Sequence, residues 1–212
     1  MDDSSIKGKS NNFNFKIGVD FTLDNLLGLS EEEYLALAIS RAYKKTYSKD
    51  IILNRESHGR DESLADVSRT IGWFTCQFPV FVDVNCEYDD ISLVRDVIGL
   101  KKALNGVEHL GLNYGSLIYG SHDLIYKHCP VTFNFLSTEF VFKNELFESI
   151  DDISFLNEIS LKKSDYTTYG IDFNVSRVNN YYMFNGDYPE GTYLGNQFDE
   201  FVENIKRKIN IV

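Results

Sequence analysis

Apolar residues along this chain switch repeatedly between strand spacing and helical spacing, and no other feature restricts its fold as much. Phe13, Phe15, Ile17, Val19 and Phe21 recur at every second position among polar neighbours, the period of a strand buried on one face. Tyr34, Leu35, Leu37, Ala38, Ile39, Ala42 and Tyr43 then follow helical spacing, behind a Ser30–Glu33 capping-box pattern and ahead of Lys44 and Lys45. Residues 50–55 and the alternating Phe78, Val80, Val82 and Val84 read as strands. A helix follows, capped by Asp89 or Asp90, with Ile91, Val94, Val97, Ile98 and Leu104 on its apolar face and a stop at Gly106. A short helix is expected near Tyr114–Tyr119. Strands are expected over 131–136, 140–142, 153–161, 169–175 and 181–184, with a turn at Asn179-Asn180. The closing helix carries the stripe Leu194, Phe198, Phe201, Val202, Ile205 and Ile209. With no repeat and no evident linker, one mixed α/β (α+β) unit is predicted from Phe13 to residue 212, after a polar, irregular lead over residues 1–12.

Size permits this. A chain of 212 residues buries roughly 70% of its unfolded surface, enough for a core of its own. The net charge of −11 repels phosphate backbones and anionic lipid, so neither nucleic acid nor a membrane is an expected partner. Residues 1–12 have no apolar segment of the signal-peptide kind, and no run of about 18 apolar residues occurs, so a cytoplasmic location is expected. Cys76, Cys86 and Cys129 are widely spaced, with no CxxC and no His at ligand spacing, so they are read as structural thiols and no metal site is expected.

Residues 56–80, ESHGRDESLADVSRTIGWFTCQFPV, concentrate the chemistry. Glu56 follows the strand-forming Ile51-Ile52-Leu53 and precedes a turn at Gly59, a place where a strand end presents a side chain to a cleft. The residues leave two roles for it: an ion pair with Arg55, Arg60 or Arg69, or a carboxylate that moves protons. His58 suits a second acid or base, or a hydrogen bond that holds the turn. Arg60 reads as scaffold, and Arg69 suits either scaffold or substrate contact. Trp73 and Phe74 read first as packing groups.

This stretch closely resembles two linked signatures of nonribosomal peptide synthetase epimerisation domains, EGHGRE followed by RT(V/I)GWFTxx(Y/F)PV. Leu110-Gly111-Leu112-Asn113-Tyr114-Gly115 is similar to the family's GIGYG segment, and Phe133-Asn134-Phe135-Leu136 to its FNYLG segment. The resemblance implies a chloramphenicol acetyltransferase-like single lobe, a mixed β-sheet flanked by helices, corresponding to the carboxyl-terminal half of such a domain. It implies L-to-D epimerisation of a carrier-bound aminoacyl or peptidyl thioester, with Glu56 catalytic and His58, Arg60, Arg69, Trp73, Tyr114, Asn134 and Phe135 facing substrate. No cofactor would bind directly. Phosphopantetheine would arrive on a peptidyl carrier protein, and the amino-terminal lobe of the same domain would be the other partner.

The departures are specific. Ser57 stands where the family has Gly, Phe135 where it has Tyr, Asn113 where it has Gly, and Ser137-Thr138 where it has Gly-Gln. The family's second signature, HHxxxDG, belongs to the other lobe. Here His58, His109, His122 and His128 are all isolated, so this chain alone is expected to be inactive. Two alternatives remain: an amide-forming condensation lobe, whose equivalent segment usually reads GxFVNT, or a non-catalytic lobe that docks carrier proteins. The regular periodicity predicts that the chain melts in one cooperative transition, and a calorimetric scan without one would contradict it.

Overall fold

The computed structural model describes residues 10–18, 27–85, 87, 89–120, 129–136, 170–178, 180–191 and 195–209. The strands expected over 140–142 and 153–161 lie outside the described residues. Helix α1 (Glu31–Tyr47) begins as its sequence dictates. The Ser30 hydroxyl accepts from the Glu33 amide at 3.2 Å, and the Glu33 carboxylate accepts from the Ser30 amide at 2.8 Å, satisfying two donors a helix start leaves open. It stops at Ser48, which takes a left-handed conformation.

Among the described residues six strands form one mixed sheet, in the order β1 (Ser10–Gly18), β6 (Tyr181–Pro189), β5 (Ile171–Val178), β4 (Val131–Leu136), β2 (Ile51–Ser57) and β3 (Cys76–Val82). Strand β4 lies inside the sheet and runs parallel to both β2 and β5, while the remaining pairs are antiparallel. Strand β1 begins at Ser10, not Phe13. Ser10, Asn11 and Asn12 pair with Pro189, Tyr188 and Asp187, so backbone hydrogen bonding extends the strand into part of the expected polar lead.

Because side chains alternate between the two faces, the register sorts them into an apolar face and a polar one. Leu53, Val80, Val131, Phe133, Ile171, Phe173, Tyr182 and Phe184 are buried on the first. Helix α4 (Gly195–Ile209) covers it through Phe201, which meets Phe173 edge-on at 5.9 Å and Tyr43 of α1 at the same separation. The Tyr34 hydroxyl donates to the Ile209 carbonyl at 2.7 Å, tying the start of α1 to the end of α4. Each large ring buried here contributes roughly 2–3 kcal/mol by area.

Helix α2 (Asp90–Asn105) packs beside β3 and corrects the expected face. Ser92, Asp96 and Leu100 turn inward, whereas Ile91, Val94 and Ile98 are exposed. The cause is an ion pair: Arg41 of α1 and Asp96 meet at 3.1 Å, both almost fully buried. Asp96 also accepts from the Asn85 amide at 2.9 Å, so charge and backbone hydrogen bonding orient the helix against the local apolar pattern. The short helix α3 (Asn113–Gly120) lies where expected. Asp96→Ala strands the Arg41 charge and is expected to lower unfolding free energy by about 3–5 kcal/mol in a urea titration.

Candidate active site

Glu56 is the penultimate residue of β2, within the strand and opposite Gln77 of β3. The parallel register pairs Asn54 with Thr132 and Arg55 with Phe133, and one step on it sets Glu56 level with Asn134. Both residues line a cleft of about 590 Å³ at the ends of β2 and β4, beside the start of α1. Its wall includes His58, Phe78, Leu104, Val107 and Phe135 together with the charged Glu32, Glu33 and Arg55, so carboxylate, imidazole and amide share an opening of mixed polar and apolar lining.

The arginines near Glu56 are committed elsewhere. Arg55 alternates to the opposite side of the strand, toward α1, and pairs with Glu32 at the cleft wall. Arg60 donates to the carbonyls of Val67 at 2.7 Å and Thr70 at 3.0 Å, with its guanidinium 4.2 Å from the centre of the Phe74 ring. That is the scaffold role its position suggested. The Glu56 carboxylate instead accepts from the Gln77 side-chain amide at 2.6 Å. His58 is exposed, and its Nδ1 accepts from the Arg60 amide at 3.0 Å, which closes the turn. Gly59 has φ +62°, and a Cβ there would fall 1.8 Å from the Phe74 carbonyl oxygen, so the loop can close on itself only at glycine.

Glu56, His58, Asn134 and Phe135 are thus brought together, and Arg60, Arg69, Trp73 and Tyr114 do not line the cleft. The packing expected of Trp73 is not realised: it is 90% exposed, because β3 starts only at Cys76 and the preceding segment is loop. Arg69 lies exposed in the same loop. Tyr114 lines a neighbouring hollow of about 580 Å³ that shares Phe78 and Val107 with the cleft. Gly111, at φ +80°, makes that shared wall possible, since a Cβ there would sit 2.0 Å from the Phe78 ring.

Five contributors, on β3, at the start of α1 and on β5, are not evident from linear sequence. Gln77 is visible only through the β2–β3 pairing. At the start of α1, Ser30 and Glu33 were read for capping alone and Glu32 not at all, yet all three line the cleft. Burial works against ionisation of Glu33, but hydrogen bonds from Lys101 and Ser30 prevail and hold its carboxyl below the usual range. Asp172 occupies the polar face of β5, and the matching runs VTFN and IDFN were a signal that β4 and β5 present equivalent polar faces. Burial, then the charges of Asp187 and Glu56, push the Asp172 carboxyl up to about 6.

The fold agrees with what the chain is similar to. The sequence model of the condensation domain family matches residues 34–212, and the chain belongs to that family. It is 39% identical over 84 residues to bacitracin synthase 1 of Bacillus licheniformis, covering 38% of this chain and 2% of that protein. To bacitracin synthase 2 of the same organism it is 40% identical over 86 residues, covering 38% and 3%. Its fold is similar to that of the epimerization domain from the third module of tyrocidine synthetase B. The TM-score there is 0.70 at 18% identity, over 96% of this chain and 48% of that one. A chain of the complex of the X-domain and OxyB from teicoplanin biosynthesis is similar at a TM-score of 0.60 and 13% identity, over 95% and 45%. The chain therefore spans about half the length of these solved structures and a few per cent of the curated relatives. No helix among the described residues is long and apolar enough to cross a membrane.

The raised Asp172 carboxyl sets a pH dependence. Between about pH 4 and 6 the unfolded chain has released this proton while the folded chain still holds it, so this contribution to stability is present below pH 4 and lost as pH rises through 6. Asp172→Asn is neutral and of the same shape. It is expected to flatten that decline and to stabilise the fold at pH 8 by about 2 kcal/mol in denaturant titrations at both pH values.

Proposed function

We propose that this chain is the carboxyl-terminal lobe of an epimerisation-type domain of a nonribosomal peptide synthetase. In this reading it acts on an aminoacyl or peptidyl thioester held on a carrier protein. The observation that carries it is the meeting of two separate motif residues, Glu56 and Asn134, in one cleft whose lining mixes Phe78, Leu104, Val107 and Phe135 with Glu32, Glu33 and Arg55. Neighbouring Arg55 and Arg60 are held by other partners.

The α-proton of a thioester is weakly acidic, and its removal needs a base within hydrogen-bond reach together with shielding from water. Glu56 supplies the base: its carboxylate takes the proton from Cα, and the electron pair left there spreads into the thioester carbonyl. Asn134 supplies a side-chain amide at the same opening, suited to a substrate carbonyl. Inversion requires a proton returned to the opposite face of Cα, and that donor would come from the amino-terminal lobe. The phosphopantetheine arm would enter as part of the substrate, presented by the peptidyl carrier protein. His58, exposed and part of the cleft lining, is able to contact that arm or the acyl chain.

Two measurements follow. The chain alone is expected to exchange the α-hydrogen of a carrier-bound aminoacyl thioester with solvent deuterium no faster than buffer does. In a two-lobe domain containing it, Glu56→Gln keeps the shape, removes the proton acceptor and should slow exchange by at least ~10²-fold. Near-normal exchange in that variant rejects Glu56 as the base. Amide product without α-exchange would favour the condensation alternative.

A further inference from the structure

The hydrogen bonds behind Glu56 form a directed chain across three strands. Gln77 Nε2 donates to Glu56 Oε1 at 2.6 Å, Asn54 Nδ2 lies 3.3 Å from Gln77 Oε1, and the same Asn54 Nδ2 lies 3.4 Å from the Thr132 hydroxyl. The order is forced at its front end. An ionised carboxylate only accepts, so the Gln77 amide must turn its NH₂ toward Glu56, and its carbonyl then faces the Asn54 donor. The contact to Glu56 is short because it is charge-assisted, while the two behind it are long and serve to fix orientation.

We propose that Gln77 is the positioning residue for Glu56, its amide clamping one carboxylate oxygen so that the other is left to take the substrate proton. The inference rests on the epimerisation reading above and deepens it. Gln77 does not line the cleft, so it acts through Glu56 and not on substrate. It sits across the non-parallel edge of the site, on β3, where the pairing Glu56↔Gln77 brings the two side chains to the same face of the sheet. A free glutamate on a strand samples several rotamers, and a clamp of this kind removes that freedom before substrate arrives. Cross-strand placement also explains why the role is invisible in linear sequence: twenty-one positions separate the partners.

The test has an arm that needs no catalysis. In the chain as it is, the Gln77 side-chain amide should show a downfield-shifted proton resonance with slowed solvent exchange, and Glu56→Ala, which removes the acceptor, should abolish both. A Gln77 amide with free-glutamine shift and exchange overturns the proposal. In a two-lobe domain, Gln77→Met keeps length and volume but has no donor. It is expected to lower kcat for α-hydrogen exchange by about tenfold with KM unchanged, and to add no further loss in a Glu56→Gln background, the non-additivity of residues acting as a unit. Gln77 is exposed at the sheet edge, and thermal melting checks that Gln77→Met remains folded. If it does not, the isosteric Gln77→Glu, which replaces donor by acceptor, is expected to give at least the same loss in kcat. Unchanged kcat in a folded Gln77 variant overturns the proposal while leaving Glu56 as base, whereas undiminished exchange in Glu56→Gln removes the reading on which it rests.

Discussion

Parallel pairing of β2 with β4 is the constraint on which the rest of this molecule depends. A parallel pair cannot be joined by a tight turn, so the chain must leave the sheet after β2 and return in the same direction. Here the excursion contains the Gly59 loop, β3, α2 and α3 before β4 begins. That crossover places the ends of β2 and β4 side by side, and with them Glu56 and Asn134, which are far apart in sequence. It also puts the Phe78 side of β3, the end of α2 and the start of α1 around the same opening, so the walls of the cleft are consequences of the connection.

The sheet divides its labour between its faces. Rings and branched side chains on one face meet α1 and α4 and provide the burial that holds the lobe together. The other face carries a polar row: Asn14, Asn185, Asn174 and Asn134 sit level on successive strands, with side-chain hydrogen bonds from Asn14 to Asn185 at 2.8 Å and from Asn134 to Asn174 at 3.4 Å. Such a row contributes little net stability, since each amide exchanges water for another amide. Its consequence is electrostatic. Asp172, Asp187 and Glu56 share this polar side, and burial of Asp172, followed by the charges of Asp187 and Glu56, holds its proton to about 6. A polar, partly buried surface that gathers carboxylates in this way is suited to proton chemistry, whereas the ion pair of Arg41 with Asp96 is suited to holding two helices in register.

Much of this was legible in the linear chain, for local reasons. The Ser30–Glu33 capping box, the Asp89 cap of α2 and the alternation in β3 are decided by residues within a few positions of one another, and each forms as its chemistry requires. Where long-range contacts compete, local pattern lost. The apolar residues Ile91, Val94 and Ile98 face outward because a buried charge pair with α1 claims the other side of the helix. Trp73 belongs to a recognisable motif yet stands exposed, since the Arg60 hydrogen bonds shape its loop independently of the strand that follows.

By itself the sequence determined the class of the fold, the capped starts of α1 and α2, and the identity of Glu56 and Asn134 as residues of chemical interest, while strand ends such as Ser10 of β1 were set by pairing. The first three follow from periodicity, capping and motif, all of them short-range. Only the tertiary structure decided which of the candidates meet. It joined Glu56 with His58, Asn134 and Phe135, left Arg69 and Trp73 outside, and supplied Gln77 as the partner of the carboxylate. The physical reason is register: neighbours across a sheet are set by hydrogen bonding between strands remote in sequence, and a shift of one residue would turn Glu56 to the helix-covered face.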